Sequence, residues 1–569
     1  MPPFRPSPRP PRRTPPRPGG ARPPKETAPV NETLSFAAGP TDLPLLDETI
    51  GANLDRTVAA HPGRDALVDV PSGRRWTYAE FGRAVDDVAR GLIARGVRRG
   101  DRVGIWAVNC AEWVLVQYAT ARIGAIMVNI NPAYRVHELE YVLNQSGISF
   151  LVASTEYRTS DYRAMVEQVR PSCPQLRETV YIGDPTWQAL VDDGASVDPG
   201  EPAAHQAALG CDDPINIQYT SGTTGFPKGA TLSHRNILNN GYWVGELVAY
   251  TEQDRVCLPV PFYHCFGMVM GNLAATSHGA CIVIPAPAFD PAATLRAVAA
   301  ERCTSLYGVP TMFIAELDLP DFASHDLGSL RTGIMAGSPC PVEVMKRVVS
   351  EMHMVEVSIC YGMTETSPVS TQTRRDDDLE HRTATVGRVL PHLQVQVVDP
   401  ATGEVVPRGT TGELCTRGYS VMLGYWEDPE RTAEAVDADG WMHTGDLAVM
   451  NPDGYVNIVG RSKDMIIRGG ENVYPREVEE FLYRHPAITD VQVVGVPDPR
   501  YGEAVCACVV LRDPDAGLTA EEVAEFCRGR LAHYKVPAYV HVVEGFPLTV
   551  SGKVRKVELR RTAAEALGL

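Results

Sequence analysis

The stretch DRVGIWAVNCAEWVLVQYATARIGAIMVNINPAYRVHELEYVLNQSGISFLVAS, residues 101–154, decides the fold of this chain. Short apolar runs rich in Val and Ile alternate with longer segments whose apolar residues recur at helical spacing, which predicts strand, helix, strand, helix, strand. Strands separated by helices of this length need crossover connections, which are right-handed and leave the strands parallel. The sequence therefore predicts an α/β fold with a mostly parallel sheet covered by helices on both faces.

Length and a change of pattern predict more than one domain. A chain of 569 residues exceeds what one hydrophobic core usually serves. After GRSKDMIIRGGENVYP (460–475) the sequence predicts a helix, two strands around DVQVVGV and AVCACVVL, a helix that begins at Thr519 with a T-x-x-E capping box, and a strand YVHVV. We expect a large N-terminal domain of doubly wound α/β subdomains over residues 45–462 and a small C-terminal α+β domain over residues 463–569.

The segment 1–44 differs in composition from the rest of the chain. Its first 25 residues contain eleven prolines, seven lysines or arginines and no acidic residue. Such a segment cannot bury enough apolar surface to offset its chain entropy. It also lacks the apolar run of a signal peptide and the amphipathic helix of an organelle presequence. We expect a disordered tail, with a polyproline ligand for a partner domain as the alternative.

The composition argues against several classes of protein. The formal net charge of −17 argues against a nucleic-acid binder, which normally presents a basic face. The thirteen cysteines are scattered without any C-x-x-C, which is typical of reduced thiols and not of a disulfide framework or a zinc site. No apolar run approaches the roughly eighteen residues of a spanning helix. We expect a cytoplasmic protein without a transmembrane segment, and the sequence is compatible with a homodimer.

The stretch YTSGTTGFPKG (219–229) carries the densest chemical signal. Its glycines let backbone N–H groups approach an anion, its hydroxyls add hydrogen-bond donors, and Lys228 supplies a cation. These features meet the requirements of a polyphosphate group. A plain turn after the strand INIQ is the alternative, and the eleven residues in this order favour the phosphate site.

That stretch resembles the phosphate-loop signature of the adenylate-forming superfamily, which contains acyl-CoA synthetases, adenylation domains of peptide synthetases and insect luciferases. The resemblance covers nearly the whole chain from about residue 45 and is closest to medium- and long-chain fatty acyl-CoA synthetases. It implies that the chain activates a small-molecule carboxylic acid with ATP and Mg²⁺ as acyl-AMP, and then transfers the acyl group to CoA. The other motifs that carry the resemblance are PFYHCFGM (261–268), AGSP (336–339), YGMTE (361–365), WMHTGD (441–446), GRSKDMIIRGGENVYPREVE (460–479) and PLTVSGK (547–553).

The resemblance assigns a set of residues to the nucleotide. Within it, Thr220 and Glu365 would hold Mg²⁺, whose preferred ligands are hard oxygens. Asp446 and Arg461 would bind the ribose, and Tyr361 would pack on the adenine unless it is a simple core residue. The full set is Thr220, Ser221, Gly222, Thr223, Thr224, Gly225, Lys228, Gly337, Ser338, Pro339, Tyr361, Gly362, Thr364, Glu365, Asp446, Arg461 and Lys553.

Three side chains are expected to serve the chemistry. A carboxylate is already a nucleophile at pH 7, so its attack on the α-phosphorus needs positioning and charge neutralisation and no general base. By the resemblance, Lys228 would serve the leaving pyrophosphate, Lys553 would serve the carboxylate and α-phosphate, and His264 would position the substrate. Lys553 lies in the small domain, so the resemblance implies that this domain rotates about a hinge at Lys463 between the two half-reactions.

The later motifs leave other assignments open. Gly469 and Gly470 would leave room for the pantetheine arm of CoA, or they form a plain tight turn. Tunnel-wall candidates for the acyl chain are Tyr242, Trp243, Met268, Val309 and Met335, each of which could equally be core packing.

The sequence favours a fatty acid as substrate over three alternatives. An amino-acid substrate is disfavoured because PFYHCFG lacks the acidic residue that would bind an amino group. An aryl acid remains an alternative substrate. A non-catalytic sensor of acyl groups or nucleotides is the alternative of another class, and the presence of Lys553, Glu365 and Asp446 argues against it.

Overall fold

The sequence 101–154 forms the predicted parallel strands and intervening helices. The computed structural model of the protein describes residues 33–220, 227–338, 340–461, 463–469, 471–549 and 553–569. Within them, a seven-stranded sheet has five parallel strands and two antiparallel strands at one edge. In spatial order its strands are Gly424–Tyr425, Lys228–Ser233, Pro214–Thr220, Ile126–Asn129, Arg102–Trp106, Ile148–Ala153 and Glu178–Tyr181.

A second sheet repeats this architecture on a larger scale. It has nine strands among the described residues, and the six central ones are parallel. In spatial order they are Arg388–Val389, Val369–Gln372, Glu356–Gly362, Thr332–Ala336, Ser305–Gly308, Arg255–Cys257, Cys281–Ile284, Asp65–Asp69 and Arg74–Thr77.

Helices cover both sheets. One large hydrophobic core contains residues of both sheets, and a second core lies between the seven-stranded sheet and the helices Val136–Ser146 and Tyr162–Val169. The helix Ala111–Ile123 is buried along its whole length, which is why its apolar residues are not confined to one face. The prediction of a doubly wound α/β fold is confirmed. The helices of this part are Ile50–Ala60, Tyr78–Ala94, Ala111–Ile123, Val136–Ser146, Tyr162–Val169, Pro185–Asp193, Glu201–Ala207, His234–Leu247, the π-helix Phe266–Leu273, Ala274–Ser277, Pro291–Glu301, Pro310–Leu317, Val342–Glu351, Leu379–Ala384 and Pro429–Ala435.

A third, antiparallel sheet was not predicted. Its strand Leu393–Val398 alternates buried and half-buried residues, as expected of a sheet with one face on the core. In spatial order its five strands are Phe36–Ala38, Leu393–Val398, Gly412–Gly418, Met442–Met450 and Val456–Arg461.

The first strand of that sheet corrects the predicted extent of the N-terminal tail. Phe36–Ala38 pairs with Leu393–Val398, and the Ser35 N–H donates to the Val406 carbonyl at 2.8 Å. The folded part of the chain therefore begins well before residue 45, because this segment finds its hydrogen-bond partners about 350 residues away. The prediction for residues 1–32 lies outside the described residues.

The C-terminal part forms its own small sheet. Glu471–Val473, Ile466–Arg468, Gly502–Leu511 and Ile488–Asp498 pair antiparallel in that order, and Tyr539–Val542 pairs parallel with Gly502–Leu511. Its helices are Pro475–Leu482, Ala520–Cys527 and Lys556–Leu567. The predicted capping box is present, since Thr519 and Glu522 each accept the other's backbone N–H. None of the described helices is both long enough and apolar enough to cross a bilayer.

Candidate active site

Three of the sequence motifs begin at the carboxyl ends of parallel strands. These strands are Pro214–Thr220, Thr332–Ala336 and Glu356–Gly362. In open α/β sheets, ligands bind at this end of the strands. Gly337, directly after the second strand, has a φ of 90°, a backbone conformation that favours glycine.

Glu365 lies at the centre of the predicted metal and phosphate region. It is buried in the short helical turn Thr364–Thr366. The hydroxyl of Thr220 donates to its Oε1 at 3.2 Å, and the hydroxyl of Tyr425 donates to the same oxygen at 2.9 Å. The ammonium of Lys228 lies 4.8 Å from the centre of the Tyr425 ring. Three strands and one turn thus bring a carboxylate, two hydroxyls and a cation together.

Asp446 and Arg461 face each other across an antiparallel strand pair. The Arg461 Nε donates to Asp446 Oδ1 at 3.0 Å, and the Tyr361 hydroxyl donates to Asp446 Oδ2 at 2.6 Å. Burial and then the Asp446 carboxylate raise the pKa of Tyr361, and the same carboxylate raises the pKa of Arg461. The structure thus joins the three residues that the sequence assigned to the nucleoside, and it gives the Tyr361 hydroxyl a partner that the prediction did not include.

His264 is held as a neutral imidazole. The Phe266 N–H donates to its Nδ1 at 3.1 Å, so the ring proton of the neutral form resides on Nε2. Burial and then the positive charge of Lys553 lower the pKa of His264 to about 3. A ring with this pKa accepts no proton near neutral pH, which agrees with its predicted role as a positioning group and not a base.

Lys553 reaches from the C-terminal sheet into this cluster. Its Cε lies 3.6 Å from where a Cβ on Gly337 would stand, so the glycine leaves space for the lysine. Burial lowers the pKa of Lys553, whereas the Asp446 and Glu365 carboxylates act in the opposite direction. The Thr549 N–H donates to the Lys553 carbonyl at 2.7 Å.

The helix Pro475–Leu482 holds the C-terminal part in this orientation. The Arg476 Nη1 donates to the Ile458 carbonyl at 2.9 Å, and the Val342 N–H donates to Glu480 Oε2 at 3.5 Å. Burial raises the pKa of Glu480. These contacts join the small sheet to the third sheet and to the helix Val342–Glu351.

Comparison with known proteins agrees with this geometry. Residues 54–426 match the AMP-binding enzyme family, and residues 477–553 match the AMP-binding enzyme C-terminal domain. The chain belongs to the AMP-binding enzyme family. The predicted resemblance is confirmed.

Individual relatives cover nearly the whole of this AMP-binding enzyme. YngI of Bacillus subtilis is 48% identical over 92% of this chain and 99% of its own length. The mitochondrial medium-chain acyl-CoA ligase ACSF2 of Danio rerio is 45% identical over 94% of this chain and 92% of its own length. Because ACSF2 is named as mitochondrial, the predicted cytoplasmic location of this enzyme stays a prediction.

A solved structure resembles this chain over nearly its whole length. ATP-bound MatB from Rhodopseudomonas palustris is 32% identical, covers 91% of this chain and 99% of its own, and superposes with a TM-score of 0.81. Apo MatB gives a TM-score of 0.74. Over the whole chain, this enzyme therefore superposes better on the ATP-bound form than on the apo form.

The predicted tunnel residues of this AMP-binding enzyme occupy different surroundings. Val309 is buried, and its Cγ1 lies 3.2 Å from where a Cβ on Gly337 would stand, so it borders the site. Tyr242 is half-buried and stacks on His278 with ring centres 5.1 Å apart. The other three candidates, Trp243, Met268 and Met335, are buried.

Two residues of the site were missed by sequence reasoning. Tyr425 contacts Glu365 and Lys228, and the Cys265 thiol lies 3.7 Å from both His264 Nδ1 and Thr364 Oγ1. Burial raises the pKa of Cys265 to about 11. Cys265 lies inside the quoted motif PFYHCFGM, whereas Tyr425 comes from a strand far along the chain.

The remaining predicted site residues differ in their exposure. Ser338 is half-buried directly after Gly337, Gly362 is exposed and Thr364 is buried. Gly469 has a φ of 61° in the turn between Ile466–Arg468 and Glu471–Val473, so the tight-turn reading explains this glycine. Ser221, Gly222, Thr223, Thr224, Gly225, Pro339 and Gly470 lie outside the described residues.

Proposed function

We propose that this chain is an AMP-forming acyl-CoA synthetase whose C-terminal part delivers Lys553 to the adenylation site. The observation that carries this proposal is the position of Lys553, which shares the site with Gly337, His264 and the carboxylates of the large domain. A non-catalytic sensor would need the residues that contact the nucleotide, but it would not need a lysine positioned at the reacting carboxylate and α-phosphate.

In the first half-reaction, the acid's carboxylate attacks the α-phosphorus of ATP and pyrophosphate leaves. Two anions approach each other and negative charge builds on the phosphoryl oxygens, so preorganised cations and donors lower the barrier. Lys553 would neutralise the approaching carboxylate and the α-phosphate, and Lys228 would face the leaving group. The His264 Nε2–H would donate a hydrogen bond that orients the substrate.

Mg²⁺ is part of this proposal, and the residues present fit it. The Thr220 hydroxyl and Glu365 Oε1 are hard oxygen ligands 3.2 Å apart. Adjacent ligands of an octahedral Mg²⁺ with bonds of about 2.1 Å lie about 3.0 Å apart, so little movement would be needed. Bound Mg²⁺ would neutralise charge on the ATP phosphates. Tyr425 would keep the Glu365 carboxylate oriented.

In the second half-reaction, the CoA thiol attacks the acyl-AMP carbonyl and AMP leaves. We propose that residues 45–462 and 463–569 act as separate bodies joined at Lys463, which lies between the last strand of the third sheet and the first strand of the small one. A few residues at such a junction can absorb a domain rotation. Rotation would withdraw Lys553 and bring the turn at Gly469 towards the acyl-AMP.

The acid that this enzyme activates is proposed to be of medium chain length, since the relative ACSF2 is named for that class. The test is AMP release with ATP, Mg²⁺, CoA and a panel of C2 to C18 and aryl acids. We expect turnover to peak with medium-chain acids. Turnover with aryl acids alone would contradict the medium-chain assignment, and no AMP release with any acid would contradict the ligase assignment.

The delivery of Lys553 is tested by separating the half-reactions. We expect Lys553→Ala to abolish acyl-AMP formation from acid and ATP, while CoA-dependent thioesterification of supplied acyl-AMP stays within about threefold of wild type. Lys346→Ala is the control, because this exposed lysine pairs only with Glu343 among the described residues. Equal loss of both half-reactions in Lys553→Ala would contradict the two-orientation mechanism.

A further inference from the structure

The third sheet holds a cluster of potential metal ligands outside the proposed catalytic chemistry. Glu413, Cys415 and His443 each offer one ligand atom, and these atoms all lie within 4.8 Å of one another. Glu413 and Cys415 lie on the strand Gly412–Gly418, and His443 lies directly opposite Cys415 on the neighbouring strand. The strand register therefore brings the cluster together.

The two distances from His443 Nδ1 to the other ligand atoms are close to those of a tetrahedral zinc site. The Cys415 Sγ lies 3.5 Å from His443 Nδ1, and Glu413 Oε2 lies 3.0 Å from the same nitrogen. Tetrahedral zinc with a bond of about 2.3 Å to sulfur and about 2.05 Å to nitrogen or oxygen separates S from N by about 3.6 Å and N from O by about 3.3 Å. The observed distances differ from these by a few tenths of an ångström.

The surroundings of the cluster also suit a cation. Asp437 Oδ2 lies 3.7 Å from His443 Nε2, the ring nitrogen that would remain free, and a carboxylate at that position is the usual partner of a zinc-bound histidine. The Cys415 thiol is fully buried, whereas the His443 side chain is 35% exposed. The Cys415 thiol is thus shielded from solvent, whereas the His443 imidazole is accessible to it.

From these contacts we infer that Glu413, Cys415 and His443 form a binding site for Zn²⁺ or a similar borderline-soft divalent ion, with the fourth position open to water. On binding, the Cys415 S–H bond breaks, a sulfur–metal bond forms and the proton leaves to solvent. Affinity should therefore rise with pH. The scattered cysteines did not predict this site, because its ligands are 28 and 30 residues apart along the chain and meet only across the strand pair.

The site adjoins the nucleotide loop through one shared side chain. Glu413 Oε1 accepts the Gly445 N–H at 2.9 Å, and Gly445 precedes the proposed ribose ligand Asp446. The strand carries a bulge here, since the pairing register shifts between Glu413 and Cys415. A metal bound to Glu413 Oε2 would therefore lie close to the loop that carries Asp446, although none of its ligands is assigned to ATP.

The test uses the full chain after treatment with a chelator. Zn²⁺ is titrated in competition with a chromophoric chelator, and Co²⁺ is added separately as a spectroscopic probe. We expect one tightly bound Zn²⁺ and a thiolate-to-Co²⁺ absorption band in the near ultraviolet. Cys415→Ser should remove that band, and Cys415→Ser and His443→Gln should each weaken Zn²⁺ binding at least tenfold.

Two further variants test whether Zn²⁺ binding depends on this cluster in particular. Cys211→Ser removes a half-buried thiol elsewhere and should leave Zn²⁺ binding unchanged. Asp437→Asn keeps all three ligands and should weaken binding by about 10- to 100-fold, as loss of an outer-shell partner does. Failure of wild type to bind Zn²⁺ would overturn the proposal. Binding of equal strength in wild type, Cys415→Ser and His443→Gln would do the same.

Discussion

Replacement of Tyr425 by Phe tests whether the geometry around Glu365 matters for adenylation. The change removes one oxygen atom and keeps the ring under Lys228. The lost hydroxyl is a donor to the buried Glu365 carboxylate at 2.9 Å. If Glu365 holds Mg²⁺ as proposed, the carboxylate loses the contact that fixes its orientation.

The magnitude follows from the kind of bond that is lost. A hydrogen bond to a charged group contributes about 1.5–3 kcal/mol. Because about 1.4 kcal/mol corresponds to a factor of ten, Tyr425→Phe should lower kcat/KM for MgATP in acyl-AMP formation by about 10- to 150-fold. Tyr425→Leu also removes the cation–π contact with Lys228, which contributes about 0.5–2 kcal/mol. In this variant kcat/KM for MgATP should therefore be lower by a further factor of about 2 to 30.

The assay is single-turnover formation of acyl-AMP without CoA, repeated over a range of Mg²⁺ concentrations. Tyr78→Phe is the matched control, because its buried hydroxyl also donates one hydrogen bond, to the Ala280 carbonyl at 2.7 Å, far from the motifs. Tyr78→Phe should lower the free energy of unfolding and leave the rate of acyl-AMP formation unchanged. If Tyr425→Phe stays within threefold of wild type at every Mg²⁺ concentration, the role assigned to this hydroxyl is wrong.

Three more predictions concern polar side chains away from the Glu365 contacts. Burial raises the pKa of Glu316 well above its usual value of 4.5, so the folded state holds the proton of this carboxyl more tightly than the unfolded state does. The free energy of unfolding of wild type is therefore highest below about pH 4.5 and falls as the pH rises towards the folded pKa. In that window the free energy of unfolding of Glu316→Gln, measured with urea, should increase relative to that of wild type by about 1.4 kcal/mol per pH unit. His264→Gln should lower kcat/KM for the acid without moving the pH profile between pH 5 and 8, since the pKa of His264 is about 3, and a shifted profile would contradict its positioning role. Arg476→Ala breaks the contact with the Ile458 carbonyl and should slow acyl-AMP formation more than thioesterification; equal slowing would contradict a contact specific to this orientation.

Much of the fold could be predicted from local sequence pattern. The alternation of residues 101–154 indicated parallel strands because each strand and helix is defined by its own periodicity. The antiparallel third sheet was missed because its strands are scattered between residues 36 and 461. The strand Phe36–Ala38 is the clearest case, since nothing local distinguishes it from the tail that precedes it.

The candidate site divides in the same way. The quoted motifs located Glu365, Asp446, Arg461 and Lys553, because each lies in a compact signature. Tyr425 was missed because its contact with Glu365 depends on an edge strand pairing with Lys228–Ser233. The Glu413, Cys415 and His443 cluster was missed because a strand register, and not a spacing along the chain, brings its ligands together.

The sequence by itself predicted the chemistry, since residue types suited to bind a polyphosphate, a ribose and a carboxylate are present in order along the chain. Only the tertiary structure decided which of those residues act together. Lys553 faces Gly337 and His264 because the small sheet docks on the large domain through the helix Pro475–Leu482. Such docking depends on packing between surfaces far apart in sequence, which no local pattern records.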